Sequence, residues 1–205
     1  MQNGNQINEV IVVDDFLDDP LAMRNLAISL DYDYGFASSK NANIPQSVRD
    51  ILTPKIEKII DSKFLYHERS KFAQMFEGKP PRHFCHVDGE TDIPFHWSML
   101  IYLNTDEQCL GGTNLYKHKL SGDIRSDGHG LHQKDMSTPE AWELEQHVEM
   151  KFNRAVFIPA NRFHCAGVPF GDKPENVRIT LNPKLQTCNW WTYLKHRWMK
   201  KILKR

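Results

Sequence analysis

Between residues 64 and 183 the chain is written in short apolar or alternating runs separated by turn residues, and this pattern restricts the fold more than any other feature. The runs lie at about 70–76, 82–88, 96–104, 113–118, 152–159, 163–168 and 177–182. Gly78-Lys79-Pro80-Pro81, Gly111-Gly112 and Gly171-Asp172-Lys173-Pro174 punctuate them. Many short strands with regular turn signals read as a sandwich or a barrel. Strands that short bury little alone, so they must close around a shared core.

The flanks read differently. Ile7 to Val13 is β-branched and apolar, a strand that Asp14 and Asp15 end. Asp18-Asp19-Pro20 places an N-cap carboxylate before a proline, a helix start. Leu21, Ala22, Arg24, Asn25, Leu26 and Ile28 then follow at helical spacing. A second helix is expected over 46–62 from the stripe Val48, Ile51, Leu52, Ile56, Ile59 and Ile60, with Pro54 interrupting or splitting it. Such helices would brace the outside of a sheet. From Trp190 the stripe Trp191, Leu194, Trp198 and Ile202 reads as an amphipathic helix over about 188–204. Lys195, Arg197, Lys200, Lys201, Lys204 and Arg205 crowd elsewhere on it. Such a basic face could serve an anionic surface or nucleic acid; a docking helix with a solvated basic face is the expectation, and nucleic acid is not expected as a partner.

Between the strand runs, residues 121–137 are polar and rich in Gly, Asp, Ser and His, and a short helix is expected over 138–149, where Ser137-Thr138-Pro139-Glu140 resembles a capping box. This insertion either covers a barrel mouth or is a surface loop.

At 205 residues and 40% hydrophobic, the chain fits one domain with a full core. Lysine plus arginine (26) balances aspartate plus glutamate (26), so bulk charge selects no partner. No apolar run approaches the roughly 20 residues of a membrane span, and Met1 to Gln6 lacks a secretory signal's basic start and apolar stretch. Cys85, Cys109, Cys165 and Cys188 lie far apart with no Cys-x-x-Cys, so buried thiols in a reducing compartment are expected, with the cytoplasm as location. Nothing in the sequence sets an oligomeric state.

The chemistry concentrates in Arg82-His83-Phe84-Cys85-His86-Val87-Asp88-Gly89. In an extended strand His86 and Asp88 point to one side, with Cα atoms about 6.6 Å apart. An imidazole and a carboxylate so placed can share one cation. His164, which begins a strand after the turn Pro159-Ala160-Asn161-Arg162, is the candidate third ligand. In Val177-Arg178-Ile179-Thr180-Leu181, Arg178 and Thr180 share a face. A guanidinium aimed into a barrel is costly unless an anion meets it, and it suits a carboxylate in bidentate fashion. An organic acid held beside a metal follows. In His96 to Asn104, Trp97, Met99, Ile101 and Leu103 would pack outward against helices. Ser98, Leu100 and Tyr102 take the other face, where the Tyr102 hydroxyl could reach the same carboxylate and Leu100 would form an apolar wall.

His86-Val87-Asp88, Tyr102-Leu103-Asn104, Gly111-Gly112, His164 and Arg178-Ile179-Thr180, in this order, resemble the Fe(II)- and 2-oxoglutarate-dependent oxygenases, nearest the prolyl-hydroxylase-like branch. The resemblance spans about residues 70–183. It implies a double-stranded β-helix, a jelly roll of the cupin-like kind. It also implies His86, Asp88 and His164 as catalytic ligands of Fe(II), with Arg178, Tyr102 and Thr180 binding 2-oxoglutarate beside Leu100. The implied reaction hydroxylates a substrate and releases succinate and carbon dioxide. The substrate is an unidentified small molecule or protein side chain. A longer interval between His164 and Arg178, filled by Pro169 to Asn176, and the 121–150 insertion both depart from the family pattern and bear on the substrate. The alternatives are a cupin-like metalloenzyme without 2-oxoglutarate and a catalytically silent jelly-roll binding protein.

The remaining histidines, His83, His96, His118, His129, His132, His147 and His196, have no assigned chemistry. His129-x-x-His132 lacks a cysteine or acid at zinc spacing and is expected at the surface. Arg162 alternates with His164 and reads as a surface ion pair or, less simply, as a substrate anchor.

Overall fold

A computed structural model describes residues 9–34, 39–78, 84–89, 96–128 and 132–202. Chain order gives β1 (Ile11–Val13), α1 (Pro20–Ser29), β2 (Asp33–Tyr34), β3 (Ser39–Asn43), α2 (Gln46–Ile60), β4 (Lys63–Tyr66), β5 (Lys71–Met75), β6 (Trp97–Tyr102), β7 (Gly112–His118), β8 (Trp142–Glu149), β9 (Ala155–Pro159), β10 (His164–Ala166), β11 (Arg178–Asn182), β12 (Lys184–Cys188) and α3 (Trp190–Ile202).

The strands build two antiparallel sheets. The larger runs β1-β9-β6-β11-β5-β3-β2, with β12 joining β6 to β4, and the smaller runs β10-β7-β8. The architecture is the double-stranded β-helix.

Two-residue alternation sorts the core. On β6, Trp97, Met99 and Ile101 face the helices, and Leu103 follows them, packing with Ala27 of α1 and Val48, Leu52 and Ile56 of α2. Tyr102 takes the other face with Val156 and Ile158 of β9, meeting Leu115 and Val148 of the smaller sheet, while Leu100 packs against them. Each fully buried aliphatic side chain contributes about 1.5–3 kcal/mol, so both layers hold the sheet that carries Tyr102.

α1 starts as the sequence requires, with Asp19 Oδ1 accepting from Ala22 N at 2.9 Å and Pro20 in the first turn. Its Arg24 is buried and donates to Leu103 O and Glu175 O. α2 runs through Pro54 without a break. An internal proline costs about 3 kcal/mol, but Pro54 is exposed and the buried Val48, Leu52 and Ile56 hold both sides of it.

The helix expected over 138–149 is instead a single 3-10 turn, Pro139–Ala141, followed by β8. Its Glu-Leu-Glu-Gln composition favours a helix, yet the segment pairs with β7 along its length. Burial of Trp142 and Val148 against the barrel outweighs local propensity. Thr138 precedes the turn without a side-chain capping bond. The strand expected over 82–88 reduces to one bridge between His86 and His164, its first two residues lying outside those described. The strand expected over 7–13 is described only at Ile11–Val13.

α3 forms, but Trp191, Leu194 and Trp198 of its apolar stripe are exposed. Lys63 Nζ lies 5.3 Å from the Trp190 ring and 5.5 Å from the Tyr193 ring. Trp191 and Trp198 are 79% and 65% exposed. Lys63, the first residue of β4, thus meets two rings of the helix's first turn. Among the described residues no helix is long and apolar enough to cross a membrane. Cys85 and Cys165 are buried, Cys109 and Cys188 half-buried, and all four are free thiols.

Candidate functional site

β10 and the loop before β6 meet through a reciprocal pair of backbone bonds, His86 N to His164 O and His164 N to His86 O, both 2.9 Å. Asp88 N and Gly89 N then donate to Ala160 O at 3.0 and 2.8 Å, which pins the loop. The consequence is convergence. One ligand atom from each of His86, Asp88 and His164 lies within 4.8 Å of the others. His86 Nε2 is 3.8 Å from Asp88 Oδ1, and His164 Nε2 is 3.4 Å from Asp88 Oδ2.

The tautomer of His164 follows from its surroundings. Its Nδ1 lies 2.8 Å from Arg162 O. A carbonyl only accepts, so Nδ1 carries a hydrogen, and Nε2 is the nitrogen turned to Asp88. Burial alone would raise the Asp88 pKa. The Lys184 charge and the His164 hydrogen bond outweigh it and hold the carboxyl well below the usual range. Lys184 Nζ donates to Asp88 Oδ2. The sequence offers no local signal for this contact, which spans 96 positions and depends on β12 pairing with β6 through Lys184 and Ser98.

Arg178 is 1% exposed. Its Nη2 donates to Gly112 O at 2.9 Å and its guanidinium stands 5.4 Å from the Tyr102 ring centroid. Among the described residues no salt bridge reaches it, and its Nε is buried without a hydrogen-bond partner. Burial lowers its pKa. Tyr102 Oη lies 2.7 Å from Thr113 Oγ1, and burial raises the Tyr102 pKa. Thr113 pairs with Ala166 across β7 and β10, while Leu115 pairs with His164. Thr113 therefore stands diagonally across the ladder from His164, about 7–8 Å away. Thr180 is buried opposite Tyr102 on β11, and Leu100 is half-buried beside them. Thr113 was missed from sequence; its alternation with Leu115 on β7 was the available signal.

Arg162 is neither an exposed surface residue nor a free anchor. It is 5% exposed, and its Nη1 donates to Tyr116 O at 2.6 Å and to Ile124 O at 2.5 Å, with Glu145 as ion-pair partner. The strand approach to β10 turns its side chain inward, where it ties the insertion to the smaller sheet. His132 is likewise buried, 3% exposed among His118, Trp142 and Phe163. His129 lies outside the described residues.

A model of the family of unknown function DUF6445 matches residues 1–138. The chain belongs to this family. No curated protein matches this DUF6445 member in sequence. Among solved structures, a prolyl hydroxylase from Trichoplax adhaerens, in complex with a hypoxia inducible factor oxygen degradation domain peptide fragment, is similar at TM-score 0.56 and 12% identity, over 88% of this chain and 84% of that one. A 2OG-Fe(II) oxygenase family oxidoreductase from Burkholderia pseudomallei is similar at TM-score 0.55 and 9% identity, over 86% and 84%. At these identities the likeness is one of fold, and the fold is that of the 2-oxoglutarate-iron oxygenases.

Proposed function

We propose that this DUF6445 member is an Fe(II)- and 2-oxoglutarate-dependent dioxygenase that hydroxylates its substrate. The observation that carries the reading is Arg178. A guanidinium buried without an anionic partner is expensive, and this one shares a barrel with two imidazoles and a carboxylate that converge on one point. A dicarboxylate keto acid meets both requirements, with one end for the guanidinium and the other for a metal.

The donor set fits the metal. His86, Asp88 and His164 would hold Fe(II) and leave adjacent coordination positions open. The unpartnered Arg178 Nε fits the far carboxylate of 2-oxoglutarate, with the Tyr102 hydroxyl and Thr180 beside it and Leu100 as an apolar wall. When bound, the metal and the keto acid supply dioxygen activation: a C–H group, O2 and 2-oxoglutarate become C–OH, succinate and carbon dioxide. The protein's residues position the reactants. His164 is oriented through Arg162 O. Tyr102, held neutral by burial, shares its hydroxyl with Thr113.

Anaerobic addition of Fe(II) and then 2-oxoglutarate tests the reading. A weak visible charge-transfer band is expected from the wild type and none from His86→Ala, which should also lose substrate-free succinate formation. Metal binding with no keto-acid response would favour a cupin-like enzyme, and silence to both would leave a binding protein. Full turnover in His86→Ala would remove the assignment.

A further inference from the structure

A second polar cluster follows β7 in the insertion and ends in an unmet acceptor. His118 Nε2 lies 3.0 Å from Asp135 Oδ2, and Ser121 N donates to His118 Nδ1 at 3.4 Å. His118 therefore keeps its hydrogen on Nε2. Ser121 Oγ lies 3.0 Å from His118 Nδ1 and 3.3 Å from His132 Nε2. Its hydroxyl hydrogen goes to the bare His118 nitrogen, so the oxygen accepts from His132. Asp123 Oδ2 lies 3.4 Å from the same His132 Nε2, and a carboxylate only accepts. Both neighbours place the His132 hydrogen on Nε2 and leave Nδ1 a lone pair. Among the described residues that Nδ1 is buried with no hydrogen-bond partner. A buried acceptor without a donor is destabilising and calls for an explanation.

The His132 ring lines a recess that His86 also lines, with Val87, Met136 and Phe163 as apolar walls and Ser126 at its edge. One candidate metal ligand and the ring that carries the unmet acceptor thus share a wall. Among the described residues no Asp, Glu, Lys or Arg lines the recess, Gln133 being its polar, exposed edge, and Arg162 is committed to Tyr116 O, Ile124 O and Glu145. A charged ligand group would find no opposite charge on these walls. An apolar group carrying one donor would meet both the walls and the lone pair.

We propose that this recess is the primary-substrate subsite, and that it takes a small uncharged group whose N–H or O–H donates to His132 Nδ1. The proposal rests on reading His86 as a metal ligand. Ser121 and Asp123 are positioning residues that fix the tautomer.

Saturation-transfer NMR on the metal-free full chain tests the donor requirement with two probes of similar shape, N-methylacetamide, which has an N–H, and methyl acetate, which has none. A roughly threefold to tenfold preference for the amide is expected, the worth of one hydrogen bond. His132→Phe, which keeps an aromatic ring against Phe163 and Trp142, should abolish the preference. Ser121→Ala, at an exposed position, should reduce it. Equal signals from both probes in the wild type, or an unchanged preference in both variants, would overturn the proposal. Mn(II) then reports position: the amide's methyl protons should relax faster in the loaded protein. A persistent preference without that enhancement would overturn the subsite assignment. Failure of the protein to bind Mn(II) and 2-oxoglutarate would instead sink the dioxygenase reading while the donor preference stood.

Discussion

The ammonium of Lys184 rests on Asp88 Oδ2, the same oxygen that faces His164 Nε2 at 3.4 Å. The pair makes the metal-free site electrically complete, since the partly buried carboxylate has a cation without any ion. It also sets a competition, because a metal drawing on Asp88 must sit beside a fixed positive charge. Two charges about 4 Å apart interact by about 4 kcal/mol per unit product at an effective dielectric of 20.

Lys184→Met should therefore act in opposite directions on two measurements. Without metal, loss of the cation leaves Asp88 unpaired, and stability should fall by about 1–3 kcal/mol, less than for a fully buried pair. Divalent metal affinity should rise at least tenfold. Thermal melts with and without Mn(II), together with calorimetric titration, read both quantities. A fall in affinity would mean that the ammonium serves chiefly to orient the carboxylate.

Arg178→Met exchanges a buried cation for an apolar chain of similar length. The variant loses the bond to Gly112 O but no longer desolvates an unpaired charge, so the ligand-free protein should melt no lower than wild type and up to about 1–4 kcal/mol more stably. The 2-oxoglutarate requirement should rise by about 100-fold or more, the cost of one charge-assisted bidentate contact, with metal binding retained. An unchanged requirement would show that the keto acid is held elsewhere.

The proximity of His86, Asp88 and His164 is legible in the sequence because two of the three lie two residues apart and the third follows a turn, although a loop pinned to Ala160 O, not a strand, presents Asp88. The face shared by Arg178 and Thr180 is legible for the same reason. β8 is not, since Glu143, Leu144, Glu145 and Gln146 suit a helix and only pairing with β7 makes them a strand. Lys184 is also illegible, because its contact with Asp88 depends on a distant ladder, and so is the His118-Ser121-His132 cluster, whose members, 3 and 11 positions apart, share no helix or strand. His132 and Arg162 were misplaced at the surface because polarity was read as exposure, whereas each is buried with hydrogen-bonding partners.

Acid stability should depend on a joint remote from the site. Asp14, just after β1, accepts from Arg154 Nε at 2.6 Å and Nη2 at 3.1 Å, and from Lys151 Nζ at 3.0 Å. The Arg154 hydrogen bonds, followed by that of Lys151, lower its pKa from 3.8 to about 2. A carboxyl depressed in the folded state stabilises above its unfolded value and loses that contribution as pH falls through its folded value. Wild type should thus melt above Asp14→Asn at pH 5, by an amount in the range of about 0.2–1 kcal/mol for an exposed pair. The gap should close between pH 4 and pH 2. A gap that persisted at pH 2 would assign the effect to packing.

Gly112 links the two sheets to the buried guanidinium. Its carbonyl accepts from Arg178 Nη2 at 2.9 Å and from Gly167 N at 2.7 Å. A Cβ at this position would stand 2.0 Å from Val148 O and 2.9 Å from Val148 C, both backbone atoms of β8. Backbone cannot rotate aside as a flexible side chain can, so Gly112→Ala must push β7 and β8 apart or tilt the Gly112 carbonyl. Either movement disturbs the acceptor that orients Arg178. The variant should lose about 2–4 kcal/mol of stability, in the range of severe steric substitutions, and the 2-oxoglutarate-induced rise in melting temperature should shrink. Metal binding should persist, because the His86–His164 bridge lies at the other end of β10 from Gly167. Gly111→Ala serves as the comparison: its nearest neighbour would be Val168 N at 3.5 Å, an ordinary contact, so its cost comes from the positive φ of 68° alone, about 1 kcal/mol. If the two variants weakened 2-oxoglutarate binding equally, close packing at Gly112 would not be what sets the Arg178 guanidinium in place.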